Sequence, residues 1–364
     1  MSRIPLVDLA AAHAEVAAEV ETGFKRVLAE TAFVGGAEVA AFEQEYAAFS
    51  GLPHCVGVAN GTDALELALR AVGVGPGAEV ILPANTFIAT AEAVARAGAA
   101  VVLVDCDPQT YLIDVEAALA AVTPATRAIV PVHLYGQLAP VEELRNGLGG
   151  RDVAIVEDAA QSQGATRHGR GSGADGIAAT SFYPGKNLGA YGDAGAVTTA
   201  SEQWATTVRT LGSHGGLRKY HHDLIGVNSR LDGLQAVVLR AKLARLAGWN
   251  DQRRAAAARY HHLLAGLDDV VLPVTLEGNE HVWHIYCVRV PRRDDVLAKL
   301  NAAGIGAAIH YPIPVHRTGA FAHLGGSFPH AEAVAPELLS LPIYPQITAD
   351  QQARVAEQLA AALR

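Results

Sequence analysis

The chain has 364 residues, with 28 Lys plus Arg against 37 Asp plus Glu, and a formal charge of −9. Half the residues are apolar and 18% are charged, which excludes a disordered chain, and the acidic balance argues against nucleic acid or an anionic membrane as partner. Lysine is scarce: chemistry that needs a nucleophilic amine must draw on Lys25, Lys186, Lys219, Lys242 or Lys299.

In chain order, Val16, Val20, Phe24, Val27 and Leu28 recur at helical spacing and predict an opening amphipathic helix. From residue 55 the pattern becomes short apolar runs alternating with alanine-rich helical stretches. The runs are 55–58, 80–82, 101–104, 128–132 and 153–156, with two further strands expected at 178–183 and 194–199. Near-continuous apolar strands separated by helices predict a mostly parallel sheet covered on both faces. A long helix follows from Leu231 to about Leu267, with a hinge expected at Gly248-Trp249-Asn250. Strands near Val270 and over 283–290, a helix over 294–303 and a terminal helix complete a smaller unit. The fold class is therefore α/β: a large three-layer domain with a mixed, mostly parallel sheet (1–247) plus a smaller α+β C-terminal domain (248–364). The N-terminus lacks a signal-peptide core and no run approaches ~20 apolar residues, so no membrane partner and a cytoplasmic location are expected. Cys55, Cys106 and Cys287 are scattered, and neither a disulfide framework nor a metal site is expected.

In open α/β sheets ligands bind beyond the carboxyl ends of the strands, and four polar segments follow strands here. Asn60-Gly61-Thr62-Asp63 opens a helix and suits a phosphate, although an ordinary N-cap by Thr62 or Asp63 fits the same residues. Asn85-Thr86-Phe87 offers an aromatic that could stack on a planar ring or pack in the core. Glu157-Asp158-Ala159-Ala160-Gln161 ends a very apolar strand, where a carboxylate needs a cation or several donors. The fourth segment, SFYPGKNLGAYGDAGA from Ser181, is the most informative. Its glycines allow close backbone approach around Lys186, the one lysine between residues 26 and 218. Lys25, Lys242 and Lys299 fall in helical stretches and are expected at the surface, whereas Lys219 sits in a loop suited to anions. The His221-His222 and His261-His262 doublets lack metal spacing, and the Gly169–Gly176 stretch lacks the strand and helix of a dinucleotide fingerprint. The loop His310-Tyr311-Pro312-Ile313-Pro314-Val315-His316 is stiff enough to wall a ligand site, and a structural loop would look the same.

Taken together and in this order, these segments resemble fold-type I pyridoxal-phosphate enzymes of the aspartate aminotransferase-like architecture. The closest resemblance is to the DegT/StrS sugar-nucleotide aminotransferases, in the branch acting on 3-keto sugars, and it runs from Pro5-Leu6-Val7-Asp8-Leu9 to Leu341-Pro342-Ile343. The resemblance implies pyridoxal 5'-phosphate as cofactor, pyridoxamine 5'-phosphate in the half-reaction, and a homodimer with shared active sites. It implies that Lys186 is the Schiff-base lysine, Asp158 the partner of the pyridinium nitrogen and Gln161 the neighbour of the ring hydroxyl. Phe87 would stack on the ring, Gly61, Thr62, Asp63 and Ser181 would form the phosphate cup, and Asn228 would reach the phosphate from the other subunit. Tyr183, Arg218, Lys219, Tyr220, Arg230, His310, Tyr311 and His316 would approach the substrate. The implied reaction moves an amino group from an amino-acid donor, glutamate foremost, to a nucleotide-linked keto sugar, a dTDP-3-keto-deoxyhexose before a 4-keto sugar or a keto-inositol. A histidine replaces the lysine in the sugar 3-dehydratase branch, so Lys186 speaks against that chemistry, and the complete residue set speaks against a regulator without turnover.

Overall fold

The computed structural model describes residues 3–364. Seven strands form the main sheet: β1 His54–Val58, β2 Glu79–Pro83, β3 Ala100–Val104, β4 Thr126–Ile129, β5 Ala154–Asp158, β6 Ile177–Ser181 and β7 Gly195–Thr199. Their spatial order is β1-β7-β6-β5-β4-β2-β3. Five strands run parallel from β3 to β6, and β7 runs antiparallel to both β6 and β1. Apolar β-branched side chains on both faces explain this: Val80, Ile81, Ile129, Val156 and Val197 are fully buried, as strands between two helical layers must be.

The helices that position the site are α1 Ala17–Glu30, α2 Gly36–Phe49, α3 Gly61–Ala71, α4 Ile88–Arg96, α5 Glu202–Gly212 and α6 Gly233–Leu264. The expected opening helix is α1. A six-residue helix, Leu9–Ala14, precedes it, and Glu15 between the two accepts a hydrogen bond from Trp249 at 2.8 Å. Helix α6 runs its 32 residues unbroken through Gly248, so the hinge expected there is not a break in the helix, and the expected boundary at 248 falls inside it. A Cβ at Gly248 would meet nothing within 4 Å, so no close approach demands glycine there.

The C-terminal part has its own core around Tyr260, Tyr286 and Leu339. Here β8 Tyr286–Arg289 pairs antiparallel with β9 Leu338–Leu341, backed by α7 Arg293–Ala302 and α8 Ala349–Leu363. Ile4, near the start of the chain, is buried in this core and bridges to Ile305. Among the described residues no helix is long and apolar enough to cross a membrane.

Candidate active site

The carboxyl ends of β5 and β6, the start of α3, the start of α4, residues 284–285 just before β8 and residues 310–311 between α7 and β9 enclose one cavity of about 620 Å³. Gly61, Thr62, Phe87, Asp158, Gln161, Ser181, Tyr183, Lys186, His310 and Tyr311 all line it, so the topology gathers segments up to 250 residues apart in sequence.

At the start of α3, Asn60 is the cap: its side chain accepts from the Asp63 amide at 2.8 Å, where sequence suggested Thr62 or Asp63. The amides of Gly61 and Thr62 are thereby left without an intrahelical acceptor. Gly61 is required for proximity, because a Cβ there would lie 2.5 Å from the Ser181 Cβ. Asp63 does not join the cavity lining. Its carboxylate pairs with Arg96 at 3.0 Å, and turning it aside keeps a like charge away from any bound anion.

Asp158, at the end of β5, is buried, and it accepts from the Thr90 hydroxyl at 2.8 Å and from the Ala160 amide at 3.1 Å. Burial raises its pKa, partly offset by those donors and by the nearby Lys186 and His133. Thr90 in turn meets the Thr86 hydroxyl at 2.8 Å. This hydroxyl chain was missed in the sequence, though two threonines four residues apart where a helix begins are a readable signal. Gln161 spans two walls: Oε1 accepts from the Tyr135 amide at 2.6 Å and Nε2 donates to the Tyr311 hydroxyl at 2.9 Å. The Phe87 and Tyr311 rings lie 5.2 Å apart at the mouth, and Phe87 is half exposed.

Lys186 follows a turn in which its amide donates to the Tyr183 carbonyl at 2.8 Å. Burial lowers the amine pKa to about 8, with Asp158 opposing the shift. The lysine is thus far closer to a free base at neutral pH than an exposed one. Burial and the Lys186 charge also lower His310 to about 4, and they push His284, another lining residue, well below the usual histidine value. Both rings are neutral, and His310 Nδ1 meets the Ser340 hydroxyl at 2.8 Å.

The structure leaves other expected residues outside this lining. Asn228, Arg218, Lys219, Tyr220 and Arg230 lie on the exposed segment 213–230, with Lys219 over the Tyr220 ring at 5.1 Å. His316 is buried against Phe328 and bonds Glu332 at 3.0 Å. Lys242, expected at the surface, is buried. No group of His, Cys, Asp and Glu among the described residues could hold a metal ion.

The cavity thus combines an amine, a buried carboxylate and a glycine-built cradle. The model of the DegT/DnrJ/EryC1/StrS aminotransferase family matches residues 15–360. The chain belongs to this family. Among its curated members, the dTDP-3-amino-3,4,6-trideoxy-alpha-D-glucose transaminase of Streptomyces venezuelae is 46% identical over 359 residues, covering 98% of this chain and 95% of that protein. The crystal structure of S. venezuelae DesV in complex with a ketimine intermediate superposes with a TM-score of 0.97 at 45% identity, over the whole of both chains. NtdA from Bacillus subtilis with bound cofactor PMP gives 0.93 at 32% identity, covering 100% of this chain and 86% of NtdA. Family membership makes the chain an aminotransferase of the fold-type I architecture, with its mostly parallel seven-stranded sheet.

Proposed function

We propose that the chain uses pyridoxal 5'-phosphate to move an amino group from an amino acid, glutamate foremost, to C3 of a nucleotide-linked keto sugar, a dTDP-3-keto-deoxyhexose first. The observation that carries this reading is the pairing of Lys186 with Asp158 in one cavity: an amine brought down to about 8 and a buried carboxylate. The cavity fits the cofactor. The narrow approach of Gly61 to Ser181 and the free amides of Gly61 and Thr62 suit its phosphate, Phe87 suits its ring face, and Asp158 suits a protonated ring nitrogen.

When bound, pyridoxal phosphate supplies a carbonyl that condenses with amines and a ring that accepts an electron pair. Asp158 would keep the ring nitrogen protonated, with the Thr90 hydroxyl and the Ala160 amide fixing its carboxylate. Gln161, held by the Tyr135 amide and the Tyr311 hydroxyl, would be the neighbour of the ring hydroxyl. The Lys186 amine would hold the cofactor and, once freed by an amine substrate, would take the proton from the substrate's α-carbon. In the second half-reaction the same amine would deliver a proton at the sugar carbon that receives nitrogen. Tyr183, His310 and Tyr311 line the side of the cavity open to a sugar.

The substrate is an anion, yet among the described residues Lys186 is the sole lysine or arginine in the lining. Arg218, Lys219 and Arg230 have no ion pair among the described residues and lie outside it, beside exposed Leu217, Leu224 and Ile225. A homodimer in which segment 213–230 covers the partner's cavity supplies those cations, and Asn228 to the phosphate, while burying the apolar surface.

The test is incubation with glutamate and a panel of 3-keto and 4-keto sugars on dTDP, UDP and GDP, with mass spectrometry and NMR to locate the new amine. Amine at C3 of the dTDP sugar supports the reading. Amination only at C4, or only of a keto-inositol, overturns the substrate.

A further inference from the structure

Helix α6 presents Gln235, Lys242 and Asn250 at intervals of seven and eight residues, hence on one face. All three grip the segment that follows Lys186. The Asn250 Oδ1 accepts from the Asn187 side-chain amide at 3.0 Å, the Lys242 Nζ donates to the Gly189 carbonyl at 2.6 Å, and the Gln235 Oε1 accepts from the Tyr191 amide at 2.8 Å. Alternate residues of the loop are therefore fixed one after another.

The central contact is the unusual one. Lys242 is buried without a carboxylate partner among the described residues, 4.7 Å from the Tyr191 ring centroid, and burial lowers its pKa to about 8. An apolar side chain would avoid that desolvation, so the amine persists at a cost to stability. Its acceptor is well placed to act on Lys186. Gly189 packs so closely on the preceding turn that a Cβ there would lie 2.2 Å from the Pro184 carbonyl oxygen, and the Ala190 amide donates to Phe182 at 2.8 Å. Movement at Gly189 is thus passed directly to the turn holding Lys186.

The Asn250 end has a second effect. Asn187 gives its amide hydrogens to Asn250 and to the Val282 carbonyl at 2.9 Å, which leaves Oδ1 to accept from His284 Nδ1 at 3.2 Å. In the neutral ring Nε2 is then an acceptor with no donor among the described residues, on a residue that lines the cavity.

We propose that this face of α6 is a positioning element for the cavity, and that Lys242 is its central positioning residue, holding the Gly185–Tyr191 loop so that the Lys186 amine keeps one place. The inference rests on the reading of Lys186 as the amine that carries the proton. Lys242 does not line the cavity and acts through the Gly189 carbonyl.

The test compares Lys242→Met with wild type and with Lys25→Met, a control on the exposed side of α1. In the holoenzyme, kcat of the glutamate half-reaction is expected to fall about 10- to 100-fold, the loss that ångström-scale misplacement brings. The KM for glutamate should change less than about threefold, and the isotope effect with α-deuterated glutamate should rise as proton transfer becomes more limiting. In the cofactor-free protein, amide hydrogen exchange over 186–191 should quicken about tenfold or more, with β1–β5 unchanged. If Lys242→Met does not fold, Gln235→Ala is read by the same exchange measurement and should loosen the same segment. Wild-type exchange over 186–191, or a lower kcat with an unaltered isotope effect, overturns the proposal. A wild-type enzyme that forms no borohydride-stable adduct on Lys186 instead overturns the functional reading, and the exchange arm still decides whether Lys242 holds the loop.

Discussion

Replacing Asp158 by Asn removes a charge while keeping shape: Oδ1 can still accept from Ala160, and the Thr90 hydroxyl keeps a polar neighbour. A carboxylate at ~2.8 Å from a protonated ring nitrogen, at an effective dielectric of about 20, contributes roughly 6 kcal/mol. Solvent and the retained amide offset part of this, so a loss of about 3–6 kcal/mol, or 10²- to 10⁴-fold in the glutamate half-reaction, is expected. Stopped-flow single turnovers with saturating glutamate measure it. The same variant should have the opposite effect on stability without cofactor. Burial raises the Asp158 pKa in the folded state, so ionisation at neutral pH opposes folding and the penalty disappears as the acid protonates. Cofactor-free Asp158→Asn should therefore melt above wild type at pH 7, with the gap closing as pH falls toward the ordinary carboxylate range. An undiminished single-turnover rate, or a variant less stable than wild type at pH 7, refutes this reasoning.

Three further outcomes are expected. Gly61→Ala places a Cβ 2.5 Å from that of Ser181, so equilibrium dialysis should show pyridoxal phosphate affinity reduced more than tenfold, with the far-UV spectrum unchanged. Because the free amine is the nucleophile and Lys186 is lowered to about 8, cofactor uptake by the cofactor-free protein should accelerate with rising pH, with a midpoint near 8 in rapid-mixing traces. A midpoint near the ordinary lysine value would show that burial does not activate the amine. If segment 213–230 serves the partner's cavity, mixing inactive Lys186→Ala with inactive Arg230→Ala should restore activity in heterodimers carrying one intact site. Failure of all mixtures to recover activity would remove the shared site.

The sheet was legible because strands buried on both faces must be apolar throughout, as Val80-Ile81-Leu82 and Val153 to Val156 are. Strand order was not, since pairing such as that of His54 with Thr199 depends on contacts 145 residues apart. The Lys186 loop and Asp158 were readable as motifs because their chemistry is local. Lys242 was misread for the opposite reason: within a helix it looks like a surface cation, and its acceptor lies 53 residues away at Gly189. Asp63 and His316 lie outside the cavity lining, and their side chains pair with Arg96 and Glu332, partners that the local motifs do not show. Gly248 shows the limit of punctuation signals, because packing against α1, α2 and α8 carries the helix through it.

The role of Lys186 is tested most directly by borohydride reduction of the purified protein with bound pyridoxal phosphate, followed by peptide mass mapping. One phosphopyridoxyl group per chain is expected, on Lys186, and none in Lys186→Ala. A borohydride-stable adduct on Lys242 or any other lysine, or one that persists in Lys186→Ala, would contradict that role.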